Sequence, residues 1–292
     1  MKYRKLICLL AYGFISPVLP ISKAVAEDTT GSGETEEPAA AAMSEADRET
    51  MALDSTATQW SFQFSYNQFK WADDTLDNGS PRPEGNDRNV QLRVVAPLPG
   101  SMTGLPFTIL PRLTARYAEN QNGDWGFTPT EIFALCIAQD WGSGRWGVGP
   151  LVNIPGSSDV GTDEWSYGLA GAIVNGSGNW FYGLLLTQSF KDAKPGYPSS
   201  SDTNPLGIVP IVSYKLGDGW YVSNGDMVAQ YDWDTGGFYL PIALRVGKIF
   251  VEEKGSWNIY AEYRTSLIKN NWDGAAHDGS FRLNVTYSMP VN

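Results

Sequence analysis

Apolar and polar residues alternate with a period of two over most of the chain from residue 59 to residue 290. In the clearest case, Trp60–Asn67, four aromatic residues alternate with four polar ones. Alternation recurs in Asn89–Val94, Arg112–Tyr117, Trp257–Arg264 and Phe281–Met289. This period places successive side chains on opposite faces of a β-strand. About twelve such segments, separated by turn signals, predict an all-β fold: an antiparallel up-and-down β-barrel.

The connections between the predicted strands alternate between short turns and long loops. The short turns contain glycine and lie at 142–144, 176–178, 217–219 and 253–255, and each is soon followed by a tryptophan: Trp146, Trp180, Trp220 and Trp257. The long, polar connections lie at about 72–87, 155–164, 190–204 and 268–279. Outer-membrane barrels have short periplasmic turns, long exterior loops and interfacial aromatic girdles. We therefore expect the short turns to face the periplasm.

Alternation alone does not decide which face of the barrel meets solvent, because a soluble lipocalin-like barrel places its apolar face inside. No apolar run after residue 26 reaches the length of a transmembrane helix. The spanning structure available to this sequence is then a closed barrel. Together with the tryptophans at strand ends, this favours a transmembrane barrel with its apolar faces outward.

The N-terminal residues differ in composition from the rest. Residues 1–26 combine a basic start, an apolar run and the small residues Ala24–Ala26, which predicts a cleaved signal peptide. Residues 27–58 are acidic and rich in Gly, Ser, Thr and Ala, which predicts a disordered segment. An alternative for Met43–Leu53 is one short helix, in the periplasm or plugging the barrel. The barrel is predicted to occupy residues 59–292.

Charge and cysteine content exclude several functions. The chain has 21 Lys and Arg against 32 Asp and Glu, and removal of residues 1–26 with their four basic residues leaves a net charge of −15. Such a chain is not expected to bind nucleic acid. Cys136 would be the one remaining cysteine, so we expect no internal disulfide. No cofactor or metal site is predicted, although acidic residues in the long loops leave open the binding of divalent cations that bridge lipopolysaccharide.

Several motifs of residues 59–290 resemble one known family. They are Trp146–Pro155, Asp159–Trp165, Tyr214–Trp220, Leu240–Lys248 and Phe281–Pro290. The family is named after the MetA component of phenol-degradation pathways, and its members are regarded as outer-membrane transporters. The resemblance implies a barrel in a Gram-negative outer membrane that takes up small, often aromatic compounds. The partners expected of it are outer-membrane lipid, lipopolysaccharide, the barrel-assembly machinery and a small-molecule permeant.

Seven charged residues face the lumen if the apolar faces point to lipid. They are Arg93, Arg112, Arg116, Arg245, Glu262, Arg264 and Arg282. They come from the first and last strands, which become neighbours when a barrel closes. An arginine-lined wall attracts anions and selects among solutes, but these arginines would also fill the lumen if they paired with Glu262 and other inward acids. The sequence thus predicts a channel or transporter for passive uptake of small compounds, aromatic or anionic.

Two other functions remain open. His277, the single histidine, stands beside Asp278 in the last predicted exterior loop, where an outer-membrane lipase or protease would place its base. No nucleophile motif such as Gly-x-Ser-x-Gly accompanies it, so we do not expect an enzyme. The third class is a structural or adhesive barrel without a transport role.

Overall fold

The structure, a computed structural model, describes most of the chain beyond the N-terminal region. The described residues are 44–54, 56–76, 78–82, 86–120, 122–137, 144–160, 165–190, 205–274 and 276–291. The predicted signal peptide and the first part of the acidic segment lie outside them.

Fourteen strands and two short helices occur in the described residues. In chain order they are α1 Glu45–Leu53, β1 Gln59–Trp71, β2 Asn86–Val95, α2 Gly100–Thr103, β3 Thr108–Glu119, β4 Trp125–Phe127, β5 Thr130–Ile137, β6 Gly144–Ile154, β7 Ser166–Ser177, β8 Trp180–Ser189, β9 Pro205–Gly217, β10 Trp220–Ser223, β11 Ala229–Asp232, β12 Phe238–Val251, β13 Ser256–Asn270 and β14 His277–Pro290. No helix in this part of the chain is long and apolar enough to cross a membrane.

The strands form one closed antiparallel barrel. Closure comes from the pairing of β1 with β14, in which Phe64 lies opposite Val285. Strands β10 and β11 both pair with β9 and β12 and share one position between them. The short strand β4 pairs with β3 and lies off the main path. The barrel therefore has 12 strand positions, and the prediction of an up-and-down barrel of about twelve strands is confirmed.

The outer face of the barrel is apolar, and the side chains that alternate with the outward ones along each strand point inward. In β14, for example, Phe281, Leu283 and Val285 are exposed while Arg282 and Asn284 are buried. Tryptophans stand beside the short turns, at Trp60, Trp146, Trp180, Trp220 and Trp257, and others stand at the opposite end, at Trp125, Trp165 and Trp233. This outward apolar face is the inverse of a soluble barrel and is typical of membrane barrels.

The interior is divided into a polar wall and an apolar wall. The polar wall comes from β1, β2, β13 and β14 and includes the buried Asn67, Gln91 and Asn284. We call the other wall the apolar wall; its buried members are Val95, Leu110, Phe133, Leu135, Ile137, Leu151, Ala170, Ala172 and Leu185, with Val209 and Ile211 packed against them. The sequence did not predict an apolar wall, because the middle strands are apolar on both faces.

Helix α1 lies against the end of the barrel where the short turns are. Its N-cap, Ser44, accepts a hydrogen bond from the backbone N–H of Asp47. The Arg48 guanidinium donates to the Gly255 carbonyl at 2.8 Å, and Lys215 donates to the Thr50 hydroxyl at 2.9 Å. The helix thus falls in the part of residues 27–58 where the sequence left a short helix open.

Candidate functional site

An interruption between β10 and β11 brings an acidic residue into the barrel. At Asn224 the side chain adds to the last backbone pairing with β9: it accepts from the Val212 N–H at 2.8 Å and donates to the Pro210 carbonyl at 2.7 Å. Gly225 follows with φ +65°, in the left-handed region that glycine tolerates. A Cβ at this position would lie 2.5 Å from the Glu262 carboxylate. The backbone therefore turns inward here, and the next residue, Asp226, enters the interior.

Asp226 is the centre of an ion network. Its carboxylate lies 2.7 Å from Arg245, 2.7 Å from Arg282 and 3.6 Å from Arg93. Glu262 extends the network, because it lies 2.7 Å from both Arg245 and Arg264. It also accepts the backbone N–H of Asp226 at 3.1 Å. One loop residue thus links β2, β12 and β14, and Glu262 adds β13.

A second charged group lies on β3 and β5. Arg112 pairs with Glu131 at 3.1 Å, and its guanidinium stands 4.0 Å from the centre of the Phe133 ring. Arg116 donates to the Gln91 carbonyl oxygen at 2.9 Å. Two buried donors in this group, Arg112 Nε and Gln91 Nε2, have no hydrogen-bond partner among the residues that the structure describes. Both atoms are inaccessible to solvent, so they are unpaired donors within the wall itself.

Positive charge is in excess in this part of the interior. The residues involved are the arginines Arg93, Arg112, Arg116, Arg245, Arg264 and Arg282 and the acids Glu131, Asp226 and Glu262. Among the described residues of these two groups, six arginines face three carboxylates. Uncompensated charge away from bulk water is costly, so it attracts counter-ions.

A cavity of about 220 Å³ lies between the ion network and α1. At one end it is lined by Ala52, Leu53 and Asp54 of the helix region, and at the other by Asp226 and Arg245. Its sides combine arginines with members of the apolar wall: Arg93, Arg112, Arg116, Val95, Leu185, Val209 and Ile211. A small molecule in this space would meet guanidinium groups on one side and aliphatic side chains on the other.

The structure describes all seven residues that the sequence placed in the lumen. Arg93, Arg245, Glu262, Arg264 and Arg282 belong to the Asp226 network, and Arg112 and Arg116 belong to the group around Glu131. Sequence reasoning missed Asp226 and Glu131. The triplet Asn224-Gly225-Asp226 is a turn signal within a strand-like stretch, and it would have identified the interruption.

His277 lies at the long-loop end and is buried. Its ring stacks on Trp71, with centroids 4.7 Å apart, and its Nδ1 is 3.1 Å from the Tyr239 hydroxyl. The neighbouring Asp278 points away, to Lys70 at 2.7 Å. The contacts described for the His277 ring are therefore aromatic and phenolic, and the two residues do not form a dyad.

The loop after β1 is hydrogen-bonded to the loop between β13 and β14 at the same long-loop end of the barrel. Arg82 donates to the carbonyls of Trp272 and Gly274 and to the Asp74 carboxylate. Burial raises the pKa of Asp74, but the hydrogen bonds from Lys269 and Arg82 outweigh it and hold the pKa below its ordinary value. In the described residues no group of three or more His, Cys, Asp or Glu side chains is placed to hold a metal ion.

These features define the class of fold: a closed 12-stranded antiparallel barrel of the outer-membrane type. Among solved structures, an outer-membrane channel from Pseudomonas putida F1 is similar with a TM-score of 0.55 and 14% identity, over 80% of this chain and 95% of that one. The KdgM porin has a TM-score of 0.47 and 12% identity over 78% and 99%. Outer membrane phospholipase A from Escherichia coli has a TM-score of 0.40 and 14% identity over 78% and 89%. At these identities the likeness concerns the fold alone.

No protein-family model and no curated protein matches the sequence. The resemblance to the phenol-degradation family therefore stays a prediction.

Proposed function

We propose that this protein is an outer-membrane channel for the passive uptake of small compounds, aromatic or anionic, with Arg93, Arg112, Arg116, Arg245, Glu262, Arg264 and Arg282 along the path. The observation that supports it best is the arginine excess around a cavity inside a closed barrel. Such a wall has one obvious physical effect: it raises the local concentration of anions and favours their passage.

Support for a place in the outer membrane comes from the outer face. Large apolar side chains are exposed along many strands, including Phe64, Leu244 and Leu283 at 56%, 62% and 50%. An apolar surface of this extent is unfavourable in water and favourable in lipid. The tryptophans at the two ends mark where lipid headgroups would lie.

Helix α1 lies on the path that a solute would take out of the cavity. Because α1 lines the cavity at the short-turn end, a solute that leaves the cavity there must pass the helix. The helix is held by polar contacts, among them Arg48 to Gly255 and Lys215 to Thr50. Ala52 and Leu53 also pack against the buried cluster of Tyr221, Ile249 and Tyr260. The polar contacts are individually weak, and displacement of α1 would open the path.

The first test is ion selectivity in planar bilayers. The substitutions Arg112→Ala and Arg282→Ala each remove one positive charge from the interior, so both should lower the preference for anions. The measurement is the reversal potential under a salt gradient. Arg88→Ala is the matched control, since Arg88 pairs with Glu119 on the exposed side. If neither interior variant shifts the reversal potential relative to the control, the arginines do not set selectivity.

Two alternatives are tested at the same time. A barrel with a purely structural or adhesive role would give no swelling of liposomes in sugars, amino acids or aromatic acids. A hydrolase would show lipase or protease turnover that disappears in His277→Ala. The burial of His277 against Trp71 does not favour that second alternative.

A further inference from the structure

The cavity has two chemically different sides, and together they specify a ligand class. On the β3 side, Arg112 pairs with Glu131 while Arg116 donates to the neutral Gln91, which leaves a positive charge there. On the opposite side the lining is aliphatic, from Leu185, Val209 and Ile211. A wholly polar solute would leave the aliphatic side without a partner, and a neutral apolar one would leave the charge uncompensated.

Two arginines on the β3 side indicate where an anionic group would lie. Arg112 and Arg116 both line the cavity. The Arg112 side chain is 11% exposed and pairs with Glu131 through Nη2, one of its three guanidinium nitrogens. A guanidinium carries five N–H donors in a planar fork that matches a carboxylate. These two arginines therefore fit a carboxylate at the edge of the cavity.

The cavity is large enough for a ring. An apolar cavity of about 150 Å³ is enough to bind benzene, and this one has about 220 Å³. There is room for one ring and one carboxylate.

From these three observations we propose that the cavity is a binding site for a small monocarboxylate with an apolar body of about one ring, held at its carboxylate by Arg112 and Arg116 and at its body by Leu185, Val209 and Ile211. The proposal rests on the proposed function in that such a ligand would be a permeant. The binding itself does not depend on transport.

The test is calorimetric titration of the full-length protein in detergent with benzoate, benzyl alcohol and acetate. Benzoate has both features, benzyl alcohol lacks the charge and acetate lacks the ring. We expect benzoate to bind at least about tenfold more tightly than either, because each comparison removes one buried interaction. Equal affinities for benzoate and acetate, or for benzoate and benzyl alcohol, would overturn the proposal.

Variants locate the site. Arg112→Gln should weaken benzoate binding by about tenfold or more and leave benzyl alcohol unchanged, because the charge-assisted hydrogen bond is lost. Arg112→Lys should restore part of the affinity if charge matters. Ile211→Asn should weaken benzoate more than acetate. Arg88→Gln, on the exposed side, is the control for each, and an effect of the control equal to that of Arg112→Gln would refute the site.

Swelling of protein-containing liposomes in isotonic benzoate separates this proposal from the proposed function. Binding that depends on Arg112 without any permeation would overturn the channel and support the site. Permeation of ions and small solutes without selective benzoate binding would support the channel and overturn the site.

Discussion

Neutralising Asp226 is the most direct perturbation of the interior network. Asp226→Asn keeps the shape of the side chain but removes the charge that faces Arg245, Arg282 and Arg93 at 2.7, 2.7 and 3.6 Å. Afterwards the six arginines of the two groups face only Glu131 and Glu262. We expect the variant to be less stable and more selective for anions.

The magnitude follows from the contacts. Loss of one partner of a fully buried pair costs about 3–5 kcal/mol, but the Asp226 side chain is 28% exposed, so the cost is smaller. The Asn amide oxygen can still accept one hydrogen bond from an arginine, so we expect a loss of roughly 2 kcal/mol in the free energy of unfolding. For a solute anion about 6 Å away in a water-like medium, one unit charge changes the energy by about 0.7 kcal/mol, or about threefold in permeability at low salt.

Two assays measure these effects. Denaturant unfolding in detergent gives the stability change, and the reversal potential in planar bilayers gives the anion-to-cation permeability ratio. Asp278→Asn is the matched control. It makes the same chemical change at an aspartate that is paired with a cation, Lys70, but lies on the exposed side of the barrel. We expect no measurable effect of the control in either assay.

The reasoning fails if Asp226→Asn behaves like the control. Unchanged stability would mean that Asp226 does not hold the arginines together. Unchanged selectivity, with reduced stability, would mean that ions do not pass near Asp226.

Two further predictions concern the elements on either side of the cavity. Gly225→Ala should destabilise the barrel more than Gly236→Ala. Both glycines have positive φ, but only at 225 would a Cβ meet Glu262. Equal losses of stability in denaturant unfolding would contradict this close approach. A disulfide between Thr50→Cys and Gly176→Cys, in a chain whose Cys8 and Cys136 are replaced by Ser, should hold α1 in place. A Cβ at 176 would lie 3.9 Å from the Thr50 methyl, which is close enough for the cross-link. We expect conductance to be low until a reductant is added. Conductance that does not respond to oxidation would show that α1 need not move.

Much of the barrel could be predicted from the sequence, because its determinants are local. A period of two assigns each side chain of a strand to one face, so Phe281 and Leu283 point outward and Arg282 inward without knowledge of any other strand. Glycine turns followed by tryptophan likewise indicate which end of the barrel is which. The inward placement of arginines such as Arg93 and Arg245 follows from the same alternation.

Only the tertiary structure decided what meets inside the barrel. Which residues face each other across the lumen depends on closure between β1 and β14 and on the register of every pair, and neither is encoded in a local pattern. The inward turn at Gly225 places Asp226 among arginines of three strands that are distant in sequence. The apolar wall was equally hidden, because strands that are apolar on both faces give no signal of which face is inside.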